Sequence, residues 1–345
     1  MLQSRLSKLK GAIPPAFKGP LTAAYGSLLS AVTRRAHRDY DPRRTVLLVG
    51  TPRSGSTWTM GILTGFPGAC PVFEPLRRES DPRIAKMISE FSPRVEPGAV
   101  FPALELYLRE VLSGHRFTRW SSNHASLRQL VGARWFVVKF VRANRMLGWL
   151  RAMFPDNRMV IVLRHPCAVV HSMVRTAGDW SRWSHCDILP PLRRMYGDAV
   201  GALVGPGSSR EELLAASWAA DTNVALAETR PEEVLLLTYE EMCREPSLTL
   251  DRIAAYLGEQ TSGPTALAAF RKASVMTNPT SAVRQGRDPV TAWVGRIPAG
   301  TSDAILAVTR GFGLGFYGPD ADPDLHALRE AHRCTTRVAL AAPSP

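Results

Sequence analysis

A glycine-bounded stretch, Gly50-Thr51-Pro52-Arg53-Ser54-Gly55-Ser56-Thr57, follows an apolar run and precedes the helix-like segment Trp58 to Leu63. Its G-x-x-x-x-G spacing is that of a phosphate-binding loop, in which backbone N–H groups and a helix N-terminus surround an anion. A nucleoside triphosphatase needs a lysine beside the loop hydroxyl to reach the outer phosphates, and Ser56 stands there instead. That departure counts against ATP or GTP hydrolysis. The cation lies inside the loop, at Arg53, where it can sit over the bridging oxygen of a shorter anhydride and offset charge on a leaving group. A second anion site is predicted where Val160-Ile161-Val162-Leu163 ends in Arg164-His165-Pro166, with Ser172 eight residues after Arg164. Proline suits a first helical turn, and the guanidinium and hydroxyl together suit a separate phosphate. Two such sites imply a nucleotide phosphorylated at two places.

Both loops need a scaffold that brings strand ends together. Thr45 to Gly50, Trp135 to Val141, Met159 to Leu163 and Val234 to Leu237 are short apolar runs that read as buried parallel strands. Helix-like stretches lie between them at about 144–153, 166–176, 211–229 and 247–257. The alternation predicts an α/β fold, a P-loop-like, doubly covered parallel sheet in a single domain. Ligands of such folds sit at the carboxyl ends of the strands. The insertions 75–130 and 177–210 are therefore read as lids and acceptor walls. The chain divides into a basic extension over 1–44, the domain over 45–318 and a peripheral tail over 319–345.

The 345 residues suffice for one large core without metal or disulfide staples. Five scattered cysteines without a C-x-x-C pair argue against a zinc site or disulfide framework and fit a reducing, cytoplasmic compartment. No run is long and apolar enough to span a membrane. The net charge is +13, and residues 1–44 hold nine Lys/Arg against Asp39 and Asp41. A basic body suits an anionic substrate, and the extension suits peripheral contact with an anionic membrane or a solvated helix. No RNP, zinc-finger or helix-turn-helix signature points to nucleic acid.

The two motifs resemble those of the sulfotransferases that use 3′-phosphoadenosine-5′-phosphosulfate (PAPS). Arg53-Ser54-Gly55-Ser56-Thr57-Trp58 is similar to the family's 5′-phosphosulfate loop, and Leu163-Arg164-His165-Pro166 with Ser172 to its 3′-phosphate motif. Arginine in the loop and Phe73-Glu74-Pro75-Leu76 after the first helix resemble the carbohydrate-type branch. Tyr239-Glu240-Glu241, Glu245-Pro246 and the 293–317 region add likeness, so the resemblance covers about 45–318. It implies PAPS as donor, adenosine 3′,5′-bisphosphate (PAP) as product, no metal, and a third phosphate contact for which Arg284-Gln285-Gly286-Arg287 is the nearest candidate. It also implies Glu74 as general base and a carbohydrate, glycolipid or small-metabolite hydroxyl, or an amine, as acceptor. The family's phenol and steroid branch uses histidine as base, so His124, His165, His171 and His185 are reserves.

Lys139, alone in an apolar strand, points a cation at the crevice and can hold a sulfonate with Arg53, joined by Arg142. Trp58 stacks near the adenine or packs its helix. Trp180 and Trp183 stack on a flat acceptor face or close their insertion's own core. A small-molecule kinase would need the missing loop lysine and Mg²⁺ ligands. A protein that only binds anionic surfaces would use the charge of the extension. Neither acceptor identity nor oligomeric state is encoded in these motifs.

Overall fold

The computed structural model describes residues 15–259 and 285–333, with Leu267, Ala268 and Phe270 between them. Helix α1 (Pro15–Ala36) leads into β1 (Val46–Gly50), α2 (Ser56–Leu63) and β2 (Ala69–Phe73). The first insertion carries α3 (Pro82–Met87), α4 (Pro102–Leu112) and α5 (Leu127–Val131). Then come β3 (Trp135–Phe140), α6 (Leu147–Met153), β4 (Met159–Leu163), α7 (Pro166–Arg175), α8 (His185–Tyr196) and α9 (Arg210–Ala227). The chain continues through β5 (Val234–Thr238), α10 (Tyr239–Arg244), α11 (Pro246–Leu257), α12 (Ala299–Gly311) and α13 (Leu325–Arg333).

The five strands are all parallel, in the order β2-β3-β1-β4-β5. Successive strand residues face opposite sides, and here both sides are covered. Leu47, Val49, Val138, Phe140 and Ile161 pack toward α4, α6, α7, α9 and α12. Val46, Leu48, Val137, Val160 and Val162 pack toward α2 and α11. Burial on both faces is why the strands read as unbroken apolar runs rather than alternating ones.

The register places Leu48 opposite both Lys139 on β3 and Val160 on β4. From β1 the chain first builds one side of the sheet through β2 and β3, then crosses to β4 and β5. The crevice of such a reversal opens at the carboxyl ends of β1 and β4, where the Gly50–Ser56 loop and Arg164 stand.

Three features differ from the sequence reading. Strand β2 escapes it because Ala69-Cys70-Pro71-Val72-Phe73 contains a proline; the strand lies at the sheet edge, where a missing N–H is tolerated. The second insertion carries a helix that the sequence reading did not give, α8, with Pro190 and Pro191 inside it and Ile188, Leu189 and Leu192 burying its inner face. The segment after Pro319 is not wholly peripheral. Helix α13 buries Leu328 and His332, and the His332 ring lies 3.0 Å from the Thr229 hydroxyl beyond the end of α9.

Candidate active site

The first loop is shaped by backbone that only some residues tolerate. Gly55 has φ 97 and caps α2, its carbonyl accepting from the Trp58 and Thr59 N–H groups at 2.8 and 3.0 Å. A Cβ there would lie 2.5 Å from the Tyr239 ring, and one on Gly50 would lie 2.7 Å from the Ser54 hydroxyl. The loop is therefore wrapped too tightly for any larger residue at either end. Helix α2 offers its first N–H groups, which have no intrahelical partner. Within the turn, the buried hydroxyls of Thr51 and Ser54 have no hydrogen-bond partner. Buried polar atoms are rarely left so, and these two fit the oxygens of a phosphate.

The second motif meets the first directly. Arg164 leaves the end of β4, donates to the Arg53 carbonyl at 3.2 Å and to the Pro289 carbonyl at 3.2 Å, and lies 4.1 Å from the Tyr239 ring centroid. Its Nε is buried and unpartnered. Ser172, two turns into α7, accepts from Arg53 Nε at 2.8 Å. Burial and the neighbouring Arg164 charge together pull the Arg53 guanidinium below its ordinary pKa. Two cations held this close favour an anion between them.

A brace fixes the second motif from behind. The His165 N–H donates to Glu240 Oε1 at 3.0 Å, and the Tyr317 hydroxyl donates to Oε2 at 3.0 Å. The His165 ring stacks on Trp293 at 4.4 Å and lies 3.0 Å from the Gly318 carbonyl. Burial pulls this imidazole down to about 4, so it stays neutral. Burial also pushes the Glu240 carboxyl up to about 7, against the His165 amide and Arg164.

Glu74 stands beside the loops, just past β2, with φ 43 and its N–H donating to the Lys139 carbonyl at 3.0 Å. Lys139 Nζ donates to its Oε1 at 2.7 Å and Arg142 to its Oε2 at 2.9 Å. Lys139 and Arg142 are both buried. Burial alone would raise the Glu74 carboxyl, but the two cations hold it below the usual carboxylate range. Burial lowers Lys139, Glu74 opposes that, and the Arg142 and Arg53 charges add to the lowering. The two clusters thus share one field of positive charge, with Glu74 as the carboxylate inside it.

The insertions supply a wall that sequence spacing does not reveal. Phe73 carries Lys139 Nζ 4.4 Å from its ring centroid, the His124 ring at 4.3 Å and Trp120 at 5.5 Å. Arg77 lies 3.9 Å over Trp120. Trp120 Nε1 and His124 Nε2 are buried without a partner. Burial and then the Lys139 charge lower the His124 pKa. Asp179, from the second insertion, pairs with Arg142 and lies 3.7 Å from Arg77.

The remaining candidates sort by contact. Trp58 packs edge-on to Tyr239 and Phe270, at 5.4 and 5.7 Å. Trp180 donates to the Met173 and Thr176 carbonyls at the end of α7, and Trp183 packs on Phe91 of the first insertion, so both tie the second insertion to its neighbours. The His185 ring lies 3.1 Å from the Ser208 carbonyl, and His171 is half-buried on α7. Gly286, with φ 66, sits in the turn that runs to Pro289, while Arg284 lies outside the described residues. Among the described residues no group of three or more His, Cys, Asp or Glu could hold a metal ion, and no helix is long and apolar enough to cross a membrane.

The model of the sulfotransferase family matches residues 45–263, more than half of the chain and both loops with it. The chain belongs to the sulfotransferase family. Among solved structures, this sulfotransferase is similar to the sulfotransferase domain of the Synechococcus PCC 7002 olefin synthase, at 18% identity and a TM-score of 0.44 over 78% of this chain and 94% of that one. It is similar to the Alicyclobacillus acidocaldarius sulfotransferase at 16% identity and a TM-score of 0.37, over 77% and 95% of the chains. It is also similar to mouse sulfotransferase SULT7A1 complexed with PAP, at 12% identity and a TM-score of 0.38, over 82% and 90%. None of the curated proteins matches the chain.

Proposed function

We propose that this sulfotransferase moves a sulfuryl group from PAPS to a hydroxyl, or an amine, of a carbohydrate, glycolipid or small-metabolite acceptor. The observation that carries the reading is the junction of the two loops. Arg53, from the first, reaches Ser172, from the second, while Arg164 holds the Arg53 carbonyl. One donor with a 5′-phosphosulfate and a separate 3′-phosphate would satisfy both, together with the orphaned atoms of Thr51, Ser54 and Arg164. In this reading Ser54, Gly55, Ser56, Thr57 and the start of α2 hold the 5′ end, Trp58 packs beside it, and Arg164 and Ser172 hold the 3′-phosphate. Gly286 stands in the turn assigned to a further contact, and Arg284 is its candidate partner by sequence alone.

Transfer forms a bond between the acceptor oxygen and sulfur and breaks the bond from sulfur to the bridging oxygen, which leaves with its electron pair. The acceptor proton passes to Glu74. Arg53 offsets the charge that grows on the leaving oxygen, and Lys139 with Arg142 orients the sulfonate, so positioning and electrostatics supply most of the acceleration. The cations that make Glu74 a weak base are the ones an arriving sulfonate competes for. Sharing them with a second anion raises the proton affinity of Glu74 at the point where a base is needed. Phe73, Trp120 and His124 form the acceptor wall in this reading, and their two unpartnered nitrogens suit an acceptor rich in oxygen.

The test compares thermal shifts with PAP and with ATP-Mg²⁺, followed by labelled-sulfate transfer to sugars, glycolipids and phenols. Stabilisation by PAP and not ATP-Mg²⁺, with label entering a hydroxylated acceptor, is expected. Stabilisation by ATP-Mg²⁺ alone overturns the donor assignment.

A further inference from the structure

Helix α1 turns its more apolar side outward. A surface helix ordinarily buries its apolar stripe and shows polar residues to water. Here the inward positions beyond residue 23 are Gly26, Leu29, Ser30, Thr33 and, past the helix end, His37, held largely by hydrogen bonds. Ser30 Oγ donates to the Gly26 carbonyl and accepts from the Phe117 N–H at 2.9 Å, and the His37 ring lies 2.6 Å from the Leu130 carbonyl on α5. The outward stripe is Tyr25, Leu28 and Val32, exposed by 50%, 68% and 39%. Next to it α5 exposes Leu127 and Val131 while burying Leu130. Five of the ten large apolar side chains exposed among the described residues therefore sit on these two touching helices. Apolar side chains gathered in this way mark a surface that something covers.

The charge around the stripe selects what covers it. Arg34 and Arg35 are exposed in the last turn of α1 and Arg38 just beyond it, and the sequence from Pro15 to Arg38 carries no Asp or Glu. Arg128 adds an exposed cation to α5. Two copies of this face would set cation against cation, which disfavours a dimer through it. An anionic bilayer takes both features at once, the apolar stripe at the acyl boundary and the cations among the headgroups. We infer that α1 and α5 form a docking face for an anionic lipid surface, with Tyr25, Leu28 and Val32 inserting and Arg34, Arg35 and Arg128 engaging lipid phosphates. The inference does not depend on the donor or acceptor of the transfer reaction. The same 117–131 segment that seats α1 also carries Trp120 and His124, so a docked enzyme would hold its acceptor wall close to the bilayer.

Co-sedimentation of the full chain with phosphatidylcholine vesicles, with and without phosphatidylserine, reads this directly. The protein should pellet with the anionic vesicles and stay in solution with the neutral ones, and salt should release it. Leu28→Glu with Val32→Glu, both exposed, should abolish pelleting while leaving the thermal midpoint and PAP binding unchanged. Arg34→Ser with Arg35→Ser, which keeps the stripe intact, should weaken it by about fivefold per cation removed. A wild-type chain that stays in the supernatant with both vesicles overturns the inference. So does equal pelleting of the Leu28/Val32 variant, or a dimer that this variant dissociates.

Discussion

Arg53 and Glu74 are the two non-glycine residues with positive φ among the described residues, at 68 and 43. A left-handed backbone costs a residue with a Cβ about 1–2 kcal/mol, and glycine would relieve it at either position. Glycine would also remove the charged group, so the strain is held where the side chain is needed. Glu74→Gln is the informative change because it keeps size and one acceptor oxygen, turns the second acceptor into a donor, and removes the negative charge. Turnover should fall by about 10²- to 10⁴-fold in labelled-sulfate transfer, with PAP affinity little changed. Since the cations hold the carboxyl of the free enzyme below the usual range, kcat/KM should decline only as pH falls through that depressed value, while the kcat profile reports the donor-bound carboxyl. Near-wild-type turnover in Glu74→Gln would move the proton transfer elsewhere, and His124, against Phe73 and within the same field, is the next group to replace.

At the scale of elements, the second loop depends on a brace drawn from three distant segments, through Glu240, Trp293 and Tyr317. The brace carries a pH signature of its own. Glu240 has a folded pKa raised to about 7 from an ordinary 4.5. Its contribution to stability is present below the unfolded value and is lost as pH rises toward about 7, with no change above. His165, lowered to about 4, acts in the opposite sense, gaining stability between about 4 and its ordinary 6.5. The two slopes oppose one another, and other shifted groups titrate in the same range, so the wild-type curve alone does not separate them. Denaturant unfolding of wild type and Glu240→Gln across this range separates them: the wild type should lose stability relative to the variant as pH rises from about 4.5 to 7 and hold a constant difference above. A constant difference throughout would mean that Glu240 is ionised across the range. The strands and both loops were legible in the sequence, because unbroken apolar runs and glycine spacing are local signals. The edge strand β2 was hidden by Pro71, and α13 by a sequence in which a histidine rather than an aliphatic residue faces inward. The approach of Asp179 to Arg142, and of His124 to Phe73, left no local trace, since each joins segments set side by side only by the fold.

Across the whole molecule, helix α9 is the hub, buried along nearly its full length and packed among α7, α8, α12 and α13. An almost wholly buried helix is usually apolar all round, yet α9 carries Asp221, which meets Arg145 at 2.6 Å; Arg145 also reaches the Ser217 hydroxyl at 3.1 Å. The pair ties the segment after β3 to α9, and both partners are buried. Burial pushes the Asp221 carboxyl above its ordinary range even though Arg145 opposes the shift. Removing either partner would leave the other charge buried and alone. Asp221→Ala strands the Arg145 guanidinium and should destabilise by about 3–5 kcal/mol in denaturant unfolding. Arg145→Met with Asp221→Leu, which removes both charges at similar volume, should recover most of that loss. PAP binding by the folded fraction should be the same in both variants, because neither residue touches the two loops. A double variant as unstable as Asp221→Ala would mean that the hydrogen bond to Ser217, rather than the avoidance of an unpaired charge, is what holds the layers in register.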